Sequence, residues 1–143
     1  MMPLEVGQVL WLKIKYQIDK EADTEHPMLV YKIVDNYIEV IAIDKTMGKM
    51  HQLLHPYNIY INSQKPKEKV IFQDSYAQLN NILTIEYFED ILITRRVEEK
   101  LSTNKMNQIF NEYINWHKNN SILENRIVHM TKDDILRLNP KIV

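Results

Sequence analysis

A chain of 143 residues is long enough for one well-packed domain and too short for two. A formal net charge of −1 and a pI near 6.5 exclude the strongly basic surface of an indiscriminate duplex clamp, leaving room for a local single-strand groove. The absence of cysteine excludes disulfides, thiolate catalysis and cysteine-ligated zinc.

Only Gly7 and Gly48 are glycines, so no glycine-rich phosphate loop is available and a site must be made from side chains. The N-terminus has no basic segment followed by an apolar one, and no run is long enough to span a bilayer. These features predict a soluble cytoplasmic protein.

Gly7 introduces a first strand through Tyr16, in which Val9 and Trp11 alternate with Leu10, Leu12 and Ile14, a half-buried pattern. Residues 17–25 form a charged loop, better read as solvated than as a metal site. Two apolar runs follow, Pro27 to Val34 and Tyr37 to Ile43, separated only by Asp35-Asn36. Their β-branched and aromatic content predicts strands, and the Asp-Asn link predicts a tight hairpin. That register places Lys32 opposite Glu39. Two strands this apolar belong at the centre of a barrel or sheet. His26-Pro27 and Asp44-Lys45-Thr46 then emerge at the same open end of the hairpin, which makes that end the candidate site.

Lys45 to Pro56 reads as a polar excursion, Tyr57 to Ile61 as a short strand and Lys65 to Lys69 as an exposed connection. Val70 to Phe72 and Tyr76 to Glu86 supply one or two further strands, and Ile91 to Val97 the last. Ser102 is the expected N-cap of the clearest helix, with Leu101 and Met106 at staple spacing. Met106, Ile109, Phe110, Tyr113, Ile114 and His117 mark its buried face, and Asn119-Asn120 its end. Arg126 to Met130 is strand or irregular, and Thr131 to Asp134 resembles a capping box opening a short helix through Leu138. The fold class that results is α+β, mainly β: a small antiparallel barrel with a C-terminal amphipathic helix.

Several residue types invite chemistry. His51 and His55 stand four apart, but no glutamate lies between them and Pro56 follows at once, so chance outweighs a metal pair. Lys65, Lys67 and Lys69 suit a soluble loop better than a phosphate contact. His26 stands apart from these. It directly precedes a proline at the mouth of the hairpin, and imidazole can exchange protons near neutral pH or steady a phosphate. A loop histidine with no task is the bland alternative.

Gly7-Gln-Val-Leu-Trp-Leu, His26-Pro-Met-Leu-Val-Tyr and Tyr76 to Ile85 together resemble the three-part layout of the MazF/PemK (Kid) toxin family. In that family an opening Gly-acidic-aliphatic-aromatic strand is followed by an Arg-Pro strand, a segment ending Arg-Thr-Ile and a closing amphipathic helix. The resemblance covers residues 5–118. It implies an SH3-like barrel over 1–118, usually homodimeric; residues 119–143, which it does not explain, are read from their own pattern as an extension of the same domain carrying a short helix. It also implies metal-independent cleavage of single-stranded RNA by the toxin of a toxin–antitoxin pair, no cofactor, and an antitoxin that occupies the RNA groove.

This sequence departs from the family at the arginine of Arg-Pro, which is His26, and at a Thr or Ser that matches Asp44, with Thr46 two residues on. The arginine and aspartate that some members carry match Gln78 and Asn80. The arginine of Arg-Thr-Ile is Leu83, with Thr84-Ile85 retained. Either the chemistry has been rebuilt around His26, or the chain is an inactive relative that binds nucleic acid or protein.

Metal-free RNA cleavage needs a base for the ribose 2′-OH, an acid for the leaving 5′-oxygen and donors for the phosphorus-bound oxygens. The expected catalytic set is His26, Asp44 and Thr46. Lys45, Gln78 and Asn80 are the expected RNA-binding residues, and no metal ligands are expected. Trp11 and the tyrosines are candidate stacking surfaces, though core packing suits each of them better.

Overall fold

The structure, a computed structural model, describes residues 2–63 and 70–142. The connection expected at Lys65 to Lys69 lies outside the described residues. The chain is α+β and mostly β, organised on a seven-stranded mixed sheet. Its strands are β1 (Val9–Leu12), β4 (His26–Val34), β5 (Tyr37–Lys45), β6 (Asn58–Ile61), β7 (Ser75–Gln78), β8 (Ile82–Glu86) and β9 (Ile127–Met130). A small separate ribbon pairs β2 (Lys15–Gln17) with β3 (Lys20–Glu21). The helices are α1 (Thr103–Asn119) and α2 (Lys132–Leu138).

The β4–β5 hairpin occupies the centre, as its apolar runs predict. Asp35 takes the positive φ that the two-residue turn requires, at 43°. Val34 faces Tyr37, Ile33 faces Ile38 and Lys32 faces Glu39. Beyond that point the register slips by one at Tyr31, so Val30 faces Val40 and Met28 faces Ala42. The bulged Tyr31 packs its ring against Phe110 and Tyr113 of α1, at 5.1 and 4.3 Å between centroids. A bulge re-aims every residue beyond it, and here those residues lead to His26.

β5 is the branch point of the sheet. One edge pairs with β4. The other carries β8 along Tyr37 to Val40 and β7 along Ile43 to Lys45. Both faces of the hairpin are covered. Met28, Val30, Ile38 and Val40 join one core with Leu10, Leu12, Ile85, Val128 and Ile135. Leu29, Ile41 and Ile43 join a second core with Ile59, Ile61, Met106, Ile109 and Tyr113. β1 is consequently buried on both faces: Val9 and Leu10 are 1% and 0% exposed, where alternation alone predicts one wet face. Alternation records the contrast between two faces. It is silent on what a distant helix later covers.

Three further expectations are corrected. Ile91 to Val97 is not the last strand: Glu89–Thr94 is a 3-10 helix that buries Ile91 and Leu92. The last strand is β9, which runs parallel to β8, so the sheet is mixed and not wholly antiparallel. Ile114 is 56% exposed, outside the buried face of α1 formed by Met106, Ile109 and Tyr113. The helix termini follow the sequence signals. Ser102 Oγ accepts from Lys105 N at 3.3 Å, and Thr131 and Asp134 form a reciprocal capping box.

Candidate functional site

The bulge at Tyr31 decides which groups meet at the open end of the hairpin. With Met28 opposite Ala42, two more residues on each strand carry His26 toward Asp44 and leave both on one face. Without the slip, His26 would be aligned with Lys45. His26 and Asp44 line the same two adjoining clefts.

The larger cleft, about 590 Å³, lies between the charged loop after β2 and the ends of β5 and β7, with Gln78, Asn81 and Arg126 in its walls. The smaller, about 200 Å³, is walled by Trp11, Pro27, Lys45, Phe72 and Ser75. His26 is half-buried on the rim between them, with Nε2 3.2 Å from Thr24 Oγ1.

Asp44 is heavily engaged. Oδ1 accepts from the backbone N–H of Lys45 at 2.8 Å, and Oδ2 accepts from Lys49 Nζ at 2.7 Å and from the Tyr76 hydroxyl at 3.4 Å. The hydrogen bond to Asp44 raises the Lys49 ammonium above its ordinary value. Burial, with the Asp44 charge beside it, raises the Tyr76 hydroxyl. Asp44 therefore holds a cation and a phenol on one carboxylate oxygen.

Lys45 is exposed in the wall of the smaller cleft. Thr46 is placed differently. It is 5% exposed, and both its N–H and its hydroxyl donate to the Asp74 carbonyl, at 3.0 and 3.2 Å, pinning the loop instead of facing the clefts. Gln78 ends β7 in the wall of the larger cleft. Asn80 sits partly buried in the bend before β8, and its neighbour Asn81 forms the cleft wall.

Trp11 contributes an aromatic surface as well as packing. Arg96 lies 3.9 Å over its ring, and Phe72, 58% exposed, stacks on it at 5.6 Å. His51 and His55 engage different neighbours: His51 is within hydrogen-bond reach of Gln52, and His55 stacks on Tyr57. Among the described residues no cluster of three or more His, Asp or Glu is placed to hold a metal. His117 Nε2 donates to the Leu79 carbonyl at 2.7 Å, and burial lowers its pKa below the ordinary value.

Sequence reasoning did not find Lys49, Phe72, Asn81 or Arg126, and it offered Tyr76 only as one of the tyrosines that could stack on a base. All reach the site through register or chain reversals, and Arg126 stands 100 residues from His26 in sequence. No known protein family and no curated protein matches the chain. Among the described residues no helix is long and apolar enough to cross a membrane.

Proposed function

We propose that this chain is a metal-independent endoribonuclease of the cytoplasm that cleaves single-stranded RNA, on an SH3-like barrel resembling that of the MazF/PemK toxins. The observation that carries the reading is His26, a proton-transfer group on the rim between two open clefts. One cleft offers the guanidinium of Arg126, and the other the ammonium of Lys45 beside the exposed ring of Phe72. A single strand needs cations along its backbone and a ring face for an unstacked base, and the two clefts supply them on either side of the imidazole.

In this reading the neutral ring of His26 takes the ribose 2′-OH proton, and the freed oxygen attacks phosphorus. The bond to the 5′-oxygen breaks as that oxygen takes a proton from a solvent water, leaving a 2′,3′-cyclic phosphate. Lys45 donates to a non-bridging oxygen, and Asp44 holds Lys49 and Tyr76 beside the reacting group. Gln78 positions a base. Thr46 acts on the loop beside the clefts, and Asn80, next to Asn81 of the cleft wall, binds the strand. A homodimer and a neutralising antitoxin seated in the groove are the partners that the resemblance adds.

A second reading, a non-catalytic binding relative, is favoured by one observation. The hydroxyl of Thr46 is committed to Asp74, leaving His26 without the neighbouring hydroxyl that the sequence offered. Incubating the protein with a long unstructured RNA in the presence of a chelator separates the two. Cleavage supports the enzyme, and intact RNA with retained binding supports the module.

A further inference from the structure

We infer that Arg126, supplied by the segment after α1, is a phosphate-binding residue of the larger cleft, so that its ligand is a phosphodiester strand anchored on both sides of His26. The inference rests on the reading of the clefts as a single-strand groove. It adds to that reading an anchor from residues 119–142, which the family resemblance does not reach.

The guanidinium is built into position. Asn81, 6% exposed, accepts from Arg126 Nη1 through Oδ1 at 3.0 Å. The backbone that carries it is clamped as well. Arg126 N–H donates to the Leu123 carbonyl at 2.9 Å, closing the 3-10 turn Glu124–Arg126. The adjacent Asn125 accepts from Ile18 N–H at 2.9 Å and donates to Gln17 Oε1 at 3.3 Å, tying the turn to the far wall.

The other three arginines are spent on carboxylates. Arg95 pairs with Glu98, Arg96 with Glu25 and Arg137 with Glu21. Among the described residues Arg126 is the arginine that meets no carboxylate. Three acids line its cleft: Glu21 meets Arg137 at 2.6 Å and Asp44 meets Lys49 at 2.7 Å, which leaves the exposed Asp23 as the acid without an ion pair among the described residues. With Nη1 bound to a neutral amide, the remaining N–H donors of the planar guanidinium suit a phosphate, whose oxygens accept in that fork geometry.

The test uses the intact chain and a fluorescently labelled, unstructured oligoribonucleotide with every 2′-OH methylated, which can bind but not be cut. Affinity is measured by anisotropy over a series of salt concentrations. Each phosphate contact on a single strand contributes about 0.7 to the slope of log K against log salt. Arg126→Gln is expected to lower that slope by about 0.7 and weaken binding several-fold at low salt. Arg126→Lys, which keeps the charge, is expected to retain the wild-type slope.

Thermal unfolding of each variant is read alongside. If Arg126→Gln fails to fold, the Arg126→Lys and Asn81→Ala pair decides. The proposal requires a retained slope in the first and weakened binding in the second. A wild-type slope in folded Arg126→Gln overturns the inference and leaves the nuclease reading standing. A lowered slope with no cleavage of unmethylated RNA by the wild type overturns the nuclease reading and leaves the phosphate contact standing. No binding by the wild type overturns both.

Discussion

Glu39 shows how a single residue can satisfy a sequence rule and still do something else. It stands opposite Lys32 on the paired strand, the opposite-charge arrangement that the hairpin predicts. Its hydrogen bond, however, comes from the Tyr113 hydroxyl of α1. Magnitudes explain the preference. An exposed ion pair contributes about 0–1 kcal/mol, whereas a hydrogen bond to a charged group contributes about 1.5–3 kcal/mol. The phenol is accordingly held well above its ordinary value, by burial first and by the carboxylate second. Tyr113→Phe is expected to lower stability by about 1.5–3 kcal/mol in urea unfolding, and Lys32→Ala by less than about 1 kcal/mol. Equal losses from the two would refute the assignment. The sequence offers Lys32 because it is near; Tyr113 is 74 residues away, and no local pattern announces it.

Among the elements, those that closed on local chemistry were readable and those that depended on distant partners were not. The Asp35-Asn36 turn, the Ser102 cap and the Thr131 capping box each need only a few consecutive residues, and each formed as read. Ile91 to Val97 has strand composition, but Ile91 and Leu92 are buried by a 3-10 turn that docks on one core. β9 finds its place only by pairing parallel to β8. The site was legible to the same degree. The hairpin that gathers His26, Asp44 and Lys45 is local; the bulge that aligns His26 with Asp44 falls at Tyr31, whose ring packs on the distant α1.

The docking of α1 also has a pH signature. Its His117 ring is held below its ordinary pKa by burial, against the opposing influence of its hydrogen bond to the Leu79 carbonyl and then of Glu39. In the unfolded chain the ring returns to its ordinary value of 6.5. Its contribution to stability is therefore complete above that value and is lost as pH falls below it, because the unfolded state takes up the proton first. The unfolding midpoint of the wild type should fall more than that of His117→Gln between about pH 7.5 and 5. Parallel lines for the two proteins would contradict this.

For the whole molecule, the segment after α1 is part of the core. Val128, Met130, Ile135 and Ile142 belong to the first core, and β9 covers the edge of β8 that would otherwise be open. Truncation after residue 118 should yield a chain without cooperative unfolding, prone to associate through β8. A soluble, cooperatively folding truncation would show the extension to be dispensable. The same segment carries Arg126 to the cleft, so fold and proposed function are joined there.

We propose that His26, in the lining of both clefts, takes the 2′-OH proton of a single RNA strand. The most direct measurement is the cleavage rate of a long unstructured RNA in excess chelator, wild type against His26→Ala, with binding of a 2′-O-methylated strand as the control. The account predicts cleavage by the wild type and a loss of about 100-fold or more in the variant, with binding retained. Intact RNA with the wild-type protein, or equal cutting by His26→Ala, would contradict it.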